Sequence, residues 1–216
     1  MPQQYLSTYK VEPASDSDIP DLVALWISAF DSAFIRRIFP DTADGRTWLT
    51  RAFVKNLGPR APCEPETKVM LVRDAEGLPV AMAVYRIVQP GCDPSRRSWR
   101  ARWPVFDDLP GLREDVLADF FDPMERTQTH LLGSRGHMHL EALGTMEAHR
   151  KRGYGNALIK WGNDLADELG VECYLDASPA GRPVYEANGY IGQDVSAVVG
   201  KGAGASMVRS TKVKGS

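Results

Sequence analysis

Between His137 and Ala177 the hydrophobic pattern changes period twice, and this limits the fold more than any other feature of the chain. Met138, Leu140, Ala142 and Gly144 alternate with His139, Glu141, Leu143 and Thr145, the period of two that a strand presents. From Gly153 to Leu169 the period becomes helical: Ala157, Leu158, Trp161, Leu165 and Leu169 share one face, and Gly170 follows as a C′ residue. Val171 to Ala177 then returns as a strand. Strand, helix and strand in this order make a crossover unit whose two strands run parallel.

At the first switch of period lies Arg150-Lys151-Arg152-Gly153-Tyr154-Gly155-Asn156. Glycines there let the backbone turn tightly and approach a ligand. The first amides of the following helix lack internal partners and carry partial positive charge. Three cations stand beside them, so the junction reads as an anion site suited to a diphosphate. The Gly-Lys-Ser/Thr ending of a Walker A loop is missing, and so is the G-x-G-x-x-G of a dinucleotide fold.

The remaining elements fit one domain over 1–216, without repeat or internal boundary. Thr8 to Pro13 reads as a first strand, and Ser15 to Asp18 as N-cap candidates for a helix reaching about Phe30. Ala43 to Leu57 predicts a second helix, stopped by Gly58-Pro59. Val69–Val72 and Val80–Tyr85 predict a hairpin across Asp74-Ala75-Glu76-Gly77. Residues 89–134 form an irregular and helical insertion, a candidate lid over the substrate site. Its helix, from Asp115 to Leu132, is expected to kink or restart at Pro123. A short helix over Pro183–Asn188 and terminal strands over Tyr190–Val195 and Ser206–Val213, joined by Gly200–Gly204, complete the pattern.

Charge and composition exclude several functions. Lys and Arg number 26 against 28 Asp and Glu, a balance without the basic excess of a nucleic-acid or anionic-membrane surface. Cys63, Cys92 and Cys173 form no Cys-x-x-Cys pair, and the four histidines lack ligand spacing, so no metal site is expected. No secretory leader or membrane-length apolar run is visible, which predicts a cytoplasmic protein.

The pattern Arg150-x-x-Gly153-x-Gly155, after a strand and opening a helix, resembles the acyl-CoA-binding motif of the GNAT (Gcn5-related) N-acetyltransferases. Tyr185-Glu186-Ala187-Asn188-Gly189-Tyr190 is similar to the closing segment of that family, and the likeness is strong over His137–Tyr190. The resemblance implies an α/β (α+β) three-layer fold: a mixed, mostly antiparallel sheet with a splayed parallel pair and helices on both faces. It implies acetyl-CoA, or another acyl-CoA, as co-substrate and no metal. Leu143 and Thr145 would offer backbone groups to the pantetheine arm. Arg150, Lys151, Arg152, Gly153, Tyr154, Gly155 and Asn156 would cradle the pyrophosphate. Ser178 stands where many members have an Asn, Glu147 where Pro is usual, and Ala81 where Gly is frequent.

Acyl transfer to an amine needs a base, an oxyanion donor and an acid for the departing thiolate. The alternation places His139 and Glu141 on one face with Leu143 and Thr145, and both are base candidates, Glu141 ahead of His139, with a water relay as the alternative. Tyr185 is the candidate acid, and the Leu143 or Thr145 amide the oxyanion donor. Trp26, Phe30, Phe34 and Trp103 are candidates for substrate contact. The acidic run Asp107, Asp108, Glu114, Asp115, Asp119 and Asp122 would draw in a cationic amine if it lined the entrance. The expected activity is N-acetyl transfer to a primary amine of a small molecule, by a monomer or homodimer. The alternatives are a protein or peptide amine as acceptor, and an inactive acyl-CoA-sensing protein.

Overall fold

The computed structural model describes residues 9–59, 64–104, 106, 108–109, 111–199 and 205–212. Thr8, Cys63, Asp107, Gly200–Gly204 and Val213, which figure in the expectations above, lie outside them. The elements, in chain order, begin with β1 (Glu12–Pro13), α1 (Ile19–Ala29), α2 (Ala33–Ile38), α3 (Ala43–Leu57), β2 (Glu66–Arg73) and β3 (Pro79–Val88). The short α4 (Trp99–Arg102) precedes α5 (Glu114–Leu132), β4 (His137–Thr145), α6 (Tyr154–Leu169) and β5 (Glu172–Ala177). Last come α7 (Arg182–Ala187), β6 (Ile191–Gly192), α8 (Ser196–Val199) and β7 (Ala205–Arg209). No helix among the described residues is long and apolar enough to cross a membrane.

The strands form one sheet in the order β1-β2-β3-β4-β5-β7-β6. All neighbours are antiparallel except β4 and β5, which the α6 crossover forces to run parallel. Strand alternation divides the core in two. Val69, Leu71, Met82, Val84 and Ala142 pack with α1, α3 and α5 on one face. Met70, Ala83, Tyr85, Met138 and Leu140 pack with α6 on the other.

Local chemistry starts the elements where the sequence places them. The Thr42 hydroxyl accepts from the Gly45 amide at 3.1 Å and begins α3. Asp74 Oδ1 accepts from the Glu76 and Leu78 amides at 3.1 and 2.9 Å and closes the β2–β3 turn, with Gly77 at φ +85°.

Several features differ from expectation, and the first and last strands are shorter, Glu12–Pro13 and Ala205–Arg209. α5 does not restart at Pro123 but continues through it as one helix, and the Thr127 hydroxyl donates to the Pro123 carbonyl at 3.0 Å. α2, capped by the Ser32 hydroxyl on the Ile35 amide at 3.2 Å, went unforeseen because six residues hold too little periodicity to read. The strand expected over 190–195 is only Ile191–Gly192, with α8 starting at Ser196.

α6 lies so close to β3 that a Cβ at Gly162 would overlap Tyr85 Cζ and Oη. Tyr85 is fully buried and its hydroxyl donates to the Leu158 carbonyl at 3.1 Å, so the ring has nowhere to go. Gly162→Ala is therefore expected to lower stability by about 1–3 kcal/mol, even though Ala suits a helix interior better by about 1 kcal/mol. Urea unfolding checks this; an unchanged or raised midpoint would contradict the packing described.

Candidate active site

Two left-handed residues shape the loop before α6: Lys151 at φ 61° and Gly153 at φ 93°. The first bond of the helix ladder is donated by Ala157 to the Gly153 carbonyl at 3.0 Å. Among the described residues, the main-chain amides from Lys151 to Asn156 donate no hydrogen bond within the chain. Side chains brace this loop from outside. Arg150 donates to the Thr145 and Ala29 carbonyls at 3.3 and 3.0 Å, tying the loop to the ends of β4 and α1. Arg152 donates to the Ala148 carbonyl at 3.2 Å, and the Tyr9 hydroxyl to the Arg152 carbonyl at 2.8 Å. The Tyr9 ring lies 4.4 Å from that of the buried Tyr154. Asn156 accepts from the Asn188 side chain at 2.9 Å, linking the start of α6 to the end of α7. Of the three cations, Lys151 alone is without a hydrogen-bond or ion-pair partner among the described residues, so the braced loop presents amides first and one free ammonium second.

Beside this loop the sheet opens. β4 and β5 pair at three positions, His137–Glu172, Met138–Cys173 and His139–Tyr174, and then part. Past His139, the main-chain groups on that edge of β4 have no strand to meet. At the same point β4 carries an extra residue: Leu140 pairs with Tyr85 and Ala142 with Val84, leaving Glu141 as a bulge.

The bulge corrects the expected alternation. An extra residue reverses the faces beyond it. His139 and Glu141 face α5, whereas Leu143 packs toward α6, with Thr145 on the same side. Ala142 and Gly144 take the α1 face instead; a Cβ at Gly144 would come within 2.9 Å of Ala29 Cβ. Leu143 and Thr145 are thus separated from His139 and Glu141, although all four border the opening.

Glu141 is fully engaged. Arg86 Nε donates to its Oε2 at 2.8 Å, Arg102 lies 2.7 Å from Oε1, and Trp103 Nε1 donates to Oε1 at 2.9 Å. Arg86 also reaches the Thr67 hydroxyl and the Asn56 carbonyl oxygen at 2.6 and 2.7 Å. Burial pushes the Glu141 carboxyl up, but Arg102 and Arg86 outweigh it and hold it well below the usual carboxylate range. His139 is also buried; burial, and then the charge of Arg102, lower it to about 3, so it is a neutral imidazole, and its Nδ1 has no hydrogen-bond partner among the described residues.

On β5, the Asp176 carboxylate accepts from the Tyr174 hydroxyl at 2.9 and 3.0 Å and from the Ser206 hydroxyl at 2.6 Å. Burial raises it to about 6 against those hydrogen bonds. Sequence reasoning passed over Asp176, Arg86 and Arg102. The signal was there for Arg86 and Asp176, since a lone charge inside an apolar strand demands a buried partner.

Tyr185, on α7, packs its ring 5.9 Å from Tyr190, and its hydroxyl has no partner among the described residues; burial lifts it to about 12. The Ser178 hydroxyl accepts from the Gly181 amide at 3.1 Å at the turn into α7. On the α5 side, Trp26, Phe30 and Trp103 come together around a cavity of about 80 Å³ that Glu141 and Ala142 also border. Phe34 is 58% exposed and instead meets Phe120 at 5.9 Å. In the acidic run, Asp108 pairs with Arg51, Glu114 and Asp122 with Arg100, and Asp115 with Arg113, which blunts the field expected to attract a cation.

A model of the acetyltransferase (GNAT) family matches residues 43–190. Among solved structures, the chain is similar to the histone acetyltransferase HPA2 and related acetyltransferase from Corynebacterium glutamicum, with TM-score 0.59, 19% identity, and 96% of this chain and 99% of that one covered. It is similar to arylalkylamine N-acetyltransferase 2 from Aedes aegypti, with TM-score 0.63, 13% identity, and 95% and 100% covered. A third is the PaiA N-acetyltransferase from Thermoplasma acidophilum in complex with coenzyme A, with TM-score 0.51, 11% identity, and 94% and 99% covered. At such identities the likeness is one of fold. No curated protein matches the chain by sequence.

The state of His139 has a measurable consequence. Its folded value of about 3 lies below the ordinary 6.5, so the unfolded chain binds the proton more readily. Stability conferred by the neutral ring is present above pH 6.5 and lost as pH falls toward 3. Within that window wild type is expected to lose about 1.4 kcal/mol per pH unit relative to His139→Asn. Parallel stability profiles of the two proteins from about pH 6.5 to 4 would contradict the buried, neutral assignment.

Proposed function

The chain belongs to the GNAT acetyltransferase family, and from that premise we propose that it moves an acetyl group from acetyl-CoA to a primary amine of a small molecule, by direct attack within a ternary complex. The observation that carries this reading is the run of unbonded amides from Lys151 to Asn156 at the head of α6, beside the gap where β4 and β5 part. Such amides, backed by the helix dipole and the Lys151 ammonium, suit the CoA diphosphate. Gly153 and Gly155 keep the main chain bare for close approach. The β4 edge at Leu143 and Thr145 is where the pantetheine arm would bond, and their amides are the oxyanion candidates.

The chain's own groups divide the work. Tyr185 stays protonated throughout the neutral range and donates to the departing thiolate. Among the base candidates, His139 is a neutral imidazole whose buried Nδ1 has no hydrogen-bond partner among the described residues. Glu141, ionised but paired with two guanidinium groups, holds the bulge and the Trp103 indole in place.

Trp26, Phe30 and Trp103 line an aromatic cavity against Glu141, and Trp26 Nε1 is a buried donor without a partner among the described residues. This favours an acceptor whose amine is carried on a small apolar body, an aryl or branched alkyl group, with one oxygen acceptor. Phe34 lies outside this cavity, at its exposed flank.

The test is calorimetry with acetyl-CoA followed by thiol release against a panel of primary amines, aryl, alkyl and peptidyl. Binding at a single site, release with apolar small amines, and a fall in kcat of about 100-fold or more for Tyr185→Phe at unchanged acetyl-CoA affinity are expected. Binding without release for any amine would make the protein an acyl-CoA sensor, release with peptides alone a protein acetyltransferase, and no binding would end the reading.

A further inference from the structure

Asp176 stands opposite the bulge, and the scheme above leaves it without a task. His139 and Tyr174 are the last in-register pair of the parallel strands. The next residue outward on the same face is Glu141 on β4 and Asp176 on β5, so the two carboxylates flank the opening just as it begins. Cys173, Leu175 and Ala177 pack toward α6, which leaves Tyr174 and Asp176 on the face shared with His139, Glu141 and the aromatic cavity. Tyr174 and Ser206 are buried, while Asp176 keeps part of its surface.

We propose that Asp176 is the general base, taking a proton from the acceptor ammonium before it attacks the thioester, with Ser206 and Tyr174 as positioning residues. The inference rests on the acetyltransfer reading above and goes beyond it by assigning the base to a residue outside the β4 pair.

Chemistry at the opening selects it. Both oxygens of Glu141 are held by Arg86, Arg102 and the Trp103 indole, so a proton arriving there must break an ion pair. His139 sits beside Arg102 in a buried site where an imidazolium is disfavoured. Asp176 is bonded by two neutral hydroxyls, each of which fixes the carboxylate without neutralising it. Burial places it at about 6, ionised at neutral pH yet basic enough to accept a proton. The groups facing it among the described residues are Tyr174 on its own strand, Ser206 on β7 and Arg102 on α4, with His139 and Glu141 across the opening.

The step balances without a further reactant. The ammonium gives one proton to Asp176, and the freed nitrogen lone pair forms the C–N bond at the thioester carbonyl. As the tetrahedral intermediate collapses, the C–S bond breaks, Tyr185 protonates the sulfur, and the second nitrogen proton restores the Tyr185 hydroxyl. Solvent takes the proton from Asp176.

The experiment is the pH dependence of kcat/KM for the full chain, with acetyl-CoA affinity measured alongside. Wild type should lose activity below about 6 as the carboxylate protonates. Asp176→Asn should reduce kcat/KM by about 100-fold or more near neutrality and abolish that acidic limb, with acetyl-CoA affinity within about twofold of wild type. Ser206→Ala removes a bond to the charged form, so its limb should move to higher pH, with acetyl-CoA affinity within about twofold of wild type. A merely structural role would not move the limb. An Asn variant that keeps the limb or loses less than about threefold, or a Ser206→Ala limb that stays in place, overturns the inference. In either case a wild type that binds acetyl-CoA and acetylates an amine leaves the underlying reading intact, whereas a wild type that binds no acetyl-CoA overturns both.

Discussion

Glu141 is the one charge in β4 with a negative sign, and its contacts organise the open edge of the sheet. Two guanidinium groups and an indole N–H from three separate elements, β3, α4 and the turn after it, converge on this carboxylate. The ions are buried and could not remain so singly; each side chain is tolerated because the others are present. Because Glu141 is also the extra residue of the strand, the same contacts hold the bulge. With the bulge in place, β4 bends away and its pairing with β5 ends after three positions.

That geometry separates tasks which a continuous sheet would merge. The α6 side of the opening carries Leu143 and Thr145 and leads to the unbonded amides at the helix start. The α5 side carries His139, Asp176 and the aromatic walls of Trp26, Phe30 and Trp103. In the proposed reaction, an acyl donor entering from one side and an amine from the other would meet at the gap, as direct transfer requires. Arg86 and Arg102 also tune the groups there. They keep Glu141 ionised, and Arg102 helps keep His139 neutral. Asp176 escapes most of their field and keeps a proton affinity suited to neutral pH.

Much of this was legible in the chain. The change from period two to helical period at Gly153, and back at Val171, placed β4, α6 and β5 within a residue of their observed bounds. The glycines of the loop and the cations before it pointed to the open amides. The bulge was not legible, because register depends on which residue of β3 lies opposite, and a strand read alone always alternates. Hence Leu143 and Thr145 were expected on the face of His139 and Glu141. Pro123 does not end the helix, since packing of Leu117, Phe121 and Leu132 carries it past one missing bond. Arg150, one of the cations expected at the anion site, stays exposed while donating to the Thr145 and Ala29 carbonyls.

Acyl-CoA binding at this site requires the amides before α6 to meet the diphosphate. Backbone amide shifts followed by two-dimensional NMR during titration with CoA measure this directly. Large, saturable shifts confined to Lys151–Asn156 and the adjoining edge of β4 around Leu143 and Thr145 are predicted, with the exposed face of α5 unmoved. Saturable binding that leaves those amides unperturbed, or shifts centred elsewhere on the sheet, would contradict it.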